Sequence, residues 1–303
     1  MLQPEQVEDL GFARTVTNRD AAELGITRRA LGSSFTRVLH GAHVHNSVEP
    51  SLDVRCEAAG LVLPGDAAFS DVTALGLLGL PLPFGRPQNR LLDVTAVPPG
   101  DRPRGKGIRG HRRSLGPDEV AVVNGVRVTV ASRTFVDLAP TLDEANLIVI
   151  GDAILRSGLA SLADLETAIQ AAHGQRGVVR ARQAISRLDG RSGSAPESLV
   201  RVRIEDAGLP RPLVNVDVFD SCGSWIACPD LLYKEAKIAI EYEGERHRDK
   251  RQFGLDLARD QLLTLAGFVV VRAGPRDLPA NATMLPDTLR HLLQLRAPWM
   301  LGN

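Results

Sequence analysis

The sequence predicts a mixed α/β chain (α+β in its finer organisation) built in three parts, and three observations carry that expectation. Between about 196 and 303, segments of helical and strand periodicity alternate. Asn124-Gly125 joins two valine-rich runs, the strongest short signal for a hairpin. Near the N-terminus two short helical runs flank a Gly-containing turn, and a run split by Gly41 follows them.

The bulk numbers bound the answer. At 303 residues, two domains of about 150 residues each are expected, with three smaller ones open. Composition is that of a globular chain, 44% hydrophobic and 24% charged. Lys plus Arg (36) balance Asp plus Glu (36), so any contact with DNA must come from local patches and not from the whole-chain field. Cys56, Cys222 and Cys228 form no framework, which points to a reducing compartment. No C-x-x-C pair stands near histidines, so structural zinc is not expected. The N-terminus has no basic-then-apolar run, and no stretch of about eighteen apolar residues occurs. The expectation is a cytoplasmic protein without a signal peptide or membrane span.

Element by element, Thr17-Asn18-Arg19-Asp20 carries helix-start chemistry, with Ala21, Ala22 and Leu24 after it. Gly25-Ile26-Thr27 makes a turn, a second helix runs from Thr27 to Leu31, and Val38 to His45 suits a small hairpin. Helix, turn, helix and hairpin together outline a winged helix over 1–50. A middle α/β domain is expected over 51–189. It has helices at Leu52–Leu63 and Asp71–Leu78, a strand at Leu91–Val97, and a glycine-rich basic stretch at 102–113. The Val120–Val123 and Val126–Val130 hairpin follows, then a helix capped by Ser132 and helices at Leu142–Ser157 and Leu162–Ala172. Gly190–Pro196 reads as a linker. Beyond it come a helix (Glu197–Ala207), strands at Val214–Val218, Trp225–Leu232 and Ala236–Tyr242, a helix (Asp256–Leu265), a strand (Phe268–Arg272) and a closing helix (Thr283–Leu295).

The chemistry concentrates in PDLLYKEAKIAIEYEGERH. Asp230 lies in one strand and Glu241 at the end of the next, across a short turn. Antiparallel neighbours can bring such acids together. Glu243 lies on the Glu241 face by strand alternation. Taken singly, acids at strand ends are usually solvated rim charges. Crowded around an apolar strand they repel one another, and a divalent cation resolves the repulsion. Mg²⁺ or Mn²⁺ held by Asp230, Glu241 and Glu243 would activate water and stabilise the leaving oxygen of a phosphodiester. His247 would then move the proton, and Glu197 lies on the upstream helix.

Elsewhere Arg102, Arg104, Lys106, Arg109, Arg112 and Arg113 lie among glycines, either as a track for a phosphate backbone or as a solvated loop. His40, His43 and His45 lack a nearby acidic or Cys partner and read as incidental wing histidines. Trp225 reads as core packing. At 4% aromatic residues, a single-strand stacking platform is not indicated, which leaves double-stranded DNA as the better substrate. No phosphate-binding G-x-x-x-x-G-K-[ST] loop and no G-x-S-x-G elbow occurs.

Residues 197–303 resemble the PD-(D/E)XK nuclease superfamily, and more closely its Vsr-like endonuclease-domain proteins, related to the very-short-patch repair endonuclease. The matching segments are SAPESLVRVRIEDAGLP, Pro229-Asp230, IAIEYEGERH and DLARDQLLTLAGFVVVR. The resemblance implies a restriction-endonuclease-like mixed sheet flanked by helices. It also implies catalytic roles for Glu197, Asp230, Glu241, Glu243, His247 and Arg259, with Arg259 supporting the site or the phosphate. The superfamily places Lys two positions after the acid, where this chain has Glu243, and Lys237 and Lys250 are the nearby cations in sequence. TNRDAAELGITRRAL with RVLHGAHVH resembles the winged-helix domain of AbiEi-type antitoxins, which implies DNA contacts from Arg28, Arg29 and Arg37. The function these resemblances imply is metal-dependent DNA cleavage. The rival is a non-catalytic DNA-binding transcriptional regulator or antitoxin with a degenerate nuclease fold, for which a toxin-like protein partner is also open.

Overall fold

In the computed structural model, which describes residues 15–85, 91–244 and 259–302, local chemistry sets most element boundaries. The chain forms two compact units: Met1–Leu142 with Ala163–Val178, and Asp143–Leu162 with Val179–Asn303.

The first unit opens with β1 (Thr15–Thr17), α1 (Asn18–Glu23), α2 (Arg28–Ser34), β2 (Phe35–Leu39) and β3 (Ala42–His45). Thr17 caps α1 reciprocally. Its hydroxyl accepts the Asp20 N–H at 3.0 Å, and the Asp20 carboxylate accepts the Thr17 N–H at 2.8 Å, an arrangement that stabilises a helix by about 1 kcal/mol. Thr27 caps α2 by accepting from Ala30 at 3.2 Å. The three strands pair antiparallel in the order β1-β3-β2. Helix, turn, helix and hairpin are present as expected. The hairpin starts at Phe35 and not at Val38, because Phe35 and Leu39 are both drawn into the core.

There follow α3 (Leu52–Gly60), β4 (Ala68–Phe69), α4 (Asp71–Leu77), β5 (Leu92–Ala96), β6 (Ile108–Arg112), β7 (Val120–Val123), β8 (Val126–Thr129) and α5 (Ala131–Leu138). The five strands order β6-β5-β4-β8-β7. Two-residue β4 lies at the centre, antiparallel to β5 and parallel to β8. Asn124 and Gly125 both take positive φ (48° and 79°), as a tight two-residue hairpin loop requires. Ser132 does not cap α5, which starts one residue earlier with no side-chain cap. A core of Leu39, Val44, Val54, Phe69, Val94 and Val128 ties the hairpin, α3 and the sheet together. Helix α6 (Glu144–Ser157) then belongs to the second unit, α7 (Leu162–Ala171) returns to the first, and α8 (Val178–Ile185) lies again in the second.

The second unit continues with α9 (Ala195–Asp206), β9 (Leu213–Val214), β10 (Val218–Phe219), β11 (Trp225–Ala227), β12 (Leu231–Tyr233) and β13 (Ile238–Tyr242). Helix α10 (described over 259–265), β14 (Val269–Ala273) and α11 (Met284–Arg296) complete it. The main sheet orders β14-β13-β12-β9, with β13 and β14 parallel and the other pairs antiparallel. Buried Ile238, Ala239 and Ile240 make β13 apolar on both faces, as a central strand should be. The architecture is therefore mixed α/β, as expected.

Two expected strands are each divided. Asn215, at φ 47°, separates β9 from β10. Pro229, which has no N–H to give a ladder, separates β11 from β12. The boundaries between compact regions also fall elsewhere than expected, for Gly190–Pro196 is not an open linker. Ser192 is fully buried and accepts from the Ser198 hydroxyl at 2.8 Å, and Ser194 caps α9.

Beneath that segment lies a buried ion pair. Arg201 of α9 and Asp152 of α6 are both 0% exposed. The guanidinium donates to Asp152 at 2.8 Å and to Glu205 at 2.7 Å, while Asp152 also accepts the Asp189 N–H at 2.7 Å. Arg187, beyond α8, bridges Glu144, Glu205 and Asp206 at 2.8–2.9 Å. Among the described residues no helix is long and apolar enough to cross a membrane.

Candidate functional site

Strand pairing assembles the acids of the second unit. Leu231 faces Ile240 across the β12–β13 pair, so Asp230 and Glu241 occupy the next position along it. One Asp230 oxygen accepts the Tyr242 N–H at 2.7 Å. Glu241 is 7% exposed. One of its oxygens meets Arg259 of α10 at 2.5 Å, and the other is buried without a hydrogen-bond partner among the described residues. Arg259, expected to support the site or the phosphate, stands beside Glu241.

Burial pushes the Asp230 carboxyl up to about 6, the Tyr242 N–H opposes the rise, and the nearby Glu197 charge adds to it. Burial also pushes Glu241 up to about 7, against Arg259 and with help from Asp230. Glu197, Asp230 and Glu241 are therefore electrostatic neighbours. Cys228 shares the neighbourhood: burial raises its thiol pKa, and Asp217, Asp230 and Glu241 raise it further. It is poorly suited to act as a nucleophile.

Three expected members behave differently. Glu197 is occupied by its own helix start. It accepts the Gly193 N–H at 2.8 Å and the Ser194 hydroxyl at 2.7 Å, which holds its carboxylate at the cap of α9. Glu243, expected beside Glu241, pairs with Arg272, whose second nitrogen pairs with Asp260. Although β13 ends at Tyr242, the Glu243 N–H still donates to the Ala273 carbonyl at 2.8 Å, and Arg272 stands opposite Glu241 in the strand register. His247 and Lys250 lie outside the described residues. Lys237 stands at the opposite end of β13, where its ammonium donates to the Ala266 carbonyl at 2.9 Å. No lysine of the superfamily type is supplied from there.

Among the described residues no group of three His, Cys, Asp or Glu side chains converges as a ready metal cage. A hard cation that keeps most of its waters needs only one or two carboxylates. Among the described residues, Asp230 and the Glu241 oxygen left without a partner there are the pair that fits this requirement.

The acid pair has a consequence for stability. Both folded pKa values lie above the ordinary 3.8 and 4.5, so the folded chain holds these protons more tightly than the unfolded one. Their stabilising contribution is complete below about pH 4 and is lost as the pH rises through about 6–7. In EDTA, the melting temperature followed by tryptophan fluorescence is expected to fall between about pH 5 and about pH 8, with a shallower fall for Glu241→Gln. Equal slopes for the two proteins would contradict the burial cost assigned to Glu241.

In the first unit, Arg28 and Arg29 are exposed at the start of α2, while Arg37 on β2 bonds the His40 ring at 2.6 Å. His43 and His45 each have a separate partner, Asn18 at 2.8 Å and Ser47 at 2.7 Å. The basic stretch 102–113 is not one loop, because its second half is strand β6. Arg113 points inward and grips both oxygens of Asp71 at 2.5 and 3.0 Å, and His111 meets Asp93 at 3.0 Å. Asp71 itself adopts φ 52°, a conformation that costs energy in a residue with a Cβ. These partners are more than fifteen residues apart in sequence, so local reading had no signal for them. Trp225 is no core residue: it is 57% exposed, and its indole N–H donates to Asp217 at 2.7 Å.

No protein-family model matches the chain, and no solved structure matches it. Similar curated proteins from Mycobacterium tuberculosis are "Uncharacterized protein MT2308" of strain CDC 1551 / Oshkosh and "Uncharacterized protein Rv2248" of strain H37Rv. Each is 29% identical over 266 residues, which is 86% of this chain and 94% of the relative. That match is longer than either compact unit, so it runs through both.

Proposed function

We propose that the second unit cleaves phosphodiester bonds of double-stranded DNA with the help of a divalent cation. The observation that carries this reading is the placement of Asp230 and Glu241 side by side on neighbouring strands, with one Glu241 oxygen buried and without a partner among the described residues. Asp230 and Glu241 would hold Mg²⁺ or Mn²⁺, which supplies Lewis-acid stabilisation of phosphate charge and an activated water. Arg259, now on Glu241, is within reach of the same ground and can carry phosphate charge once the acid is otherwise neutralised. Glu197 adds negative charge near Asp230 while holding the start of α9.

The test is conversion of supercoiled plasmid to nicked or linear form by the full chain, in Mg²⁺, in Mn²⁺ and in EDTA, with isothermal calorimetry of each metal. Metal-dependent conversion is expected. One observation favours the rival reading of a non-catalytic DNA-binding regulator: a guanidinium already neutralises Glu241 at 2.5 Å, as it would in a site retained for structure. A chain that binds DNA but takes up no metal and leaves plasmid intact is that regulator.

A further inference from the structure

Two basic segments that are far apart in sequence meet in the first unit. The β2–β3 hairpin contributes His40, which Arg37 bonds, and the loop before β6 contributes Arg104 and Lys106. They meet at an open cleft of about 290 Å³, whose lining includes Leu39, His40, Asp101, Arg104, Lys106 and Ile108. Gly107 explains the close fit. It adopts φ 96°, and a Cβ there would stand 3.0 Å from Leu39 Cδ2 and 3.2 Å from the Val38 carbonyl. Only a residue without a side chain lets the loop lie flush on β2.

The cleft is built to donate. Arg37 gives one N–H to the Leu39 carbonyl at 3.2 Å and another to His40 Nδ1 at 2.6 Å. With Nδ1 accepting, the His40 proton resides on Nε2, which becomes a donor. Arg37, His40, Arg104 and Lys106 are all exposed, while Arg109 on β6 pairs with Asp93 at 3.7 Å. Asp101 is the one acid in the cleft lining.

We propose that this cleft binds the phosphate backbone of duplex DNA, with the phosphates at His40, Arg104 and Lys106. Charge complementarity selects the ligand: several donors on a shallow, elongated surface suit successive phosphates, which confer affinity without reading bases. The choice of DNA rests on the functional reading above, but the contact itself needs neither metal nor chemistry.

The experiment is fluorescence anisotropy of a duplex of about 20 base pairs with the full chain in EDTA, across a salt series. R104E/K106E is expected to raise Kd at least about tenfold, and R104Q/K106Q to lower the slope of log K against log salt by about two. R28E/R29E is expected to have a smaller effect. The proposal is overturned if the wild-type chain does not bind duplex, if R104Q/K106Q leaves both affinity and slope unchanged, or if R28E/R29E weakens binding as much as R104E/K106E does. Should charge reversal unfold the chain, as circular dichroism would reveal, the neutral pair decides. Because no cleavage occurs in EDTA, failure here is separate from failure of the metal site, which shows as intact binding without plasmid conversion.

Discussion

Arg201→Met is expected to lower the stability of the second unit by about 3–5 kcal/mol. The substitution keeps most of the side-chain volume, so the loss is electrostatic in origin. Asp152 is wholly buried and would retain a charge whose principal counter-ion had gone. Glu205 would still reach Arg187 and Arg211, so the cost centres on Asp152. Adding Asp152→Asn removes the stranded charge while keeping an acceptor for the Asp189 N–H. The double variant is expected to recover about half of the loss. Urea unfolding followed by tryptophan fluorescence reads this unit directly, since Trp225 and Trp299 both belong to it. A single-variant loss below about 1 kcal/mol would mean that the pair is dispensable.

The second large effect concerns activity. Asp230→Ala is expected to reduce metal-dependent cleavage about a thousandfold or more, while circular dichroism remains native. The fold should tolerate the change because two terms offset. The Tyr242 N–H loses its acceptor, but a carboxylate that burial disfavours is removed at the same time. Asp230→Asn sharpens the test by keeping an oxygen for that N–H while removing the charge a cation needs. If either variant cleaves plasmid at the wild-type rate, Asp230 is not part of the site.

The strand-period runs were legible because they carry their burial in their pattern. The apolar run around Ile238–Ile240 marked the central strand, and Asn124-Gly125 marked its hairpin with both positive φ angles. Asp230 and Glu241 were found by the same route, since a short turn between two such strands leaves little freedom of register. What escaped depends on partners distant in sequence. Strand β4, two residues long, is defined by β5 and β8 on either side of it. Arg201 lies in a helix whose periodicity marks it as an ordinary polar position, and only Asp152, 49 residues away, accounts for its burial. Arg113 read as one of several loop cations because Asp71, 42 residues upstream, is its reason for facing inward. Glu243 was read on the Glu241 face from strand alternation alone, and its partner Arg272, which stands opposite Glu241 in the register, is 29 residues away in sequence.

The order in which the chain visits its two units sets how it can be cut. It passes between them three times, with Asp143–Leu162 in one and Ala163–Val178 in the other. No single scission separates two complete bodies. A fragment starting at Ala195 would hold every acid of the candidate site yet lack α6, and Arg201 would enter the fold without Asp152. Such a fragment is expected to be insoluble or molten, whereas one that includes Asp143 onward keeps the pair together.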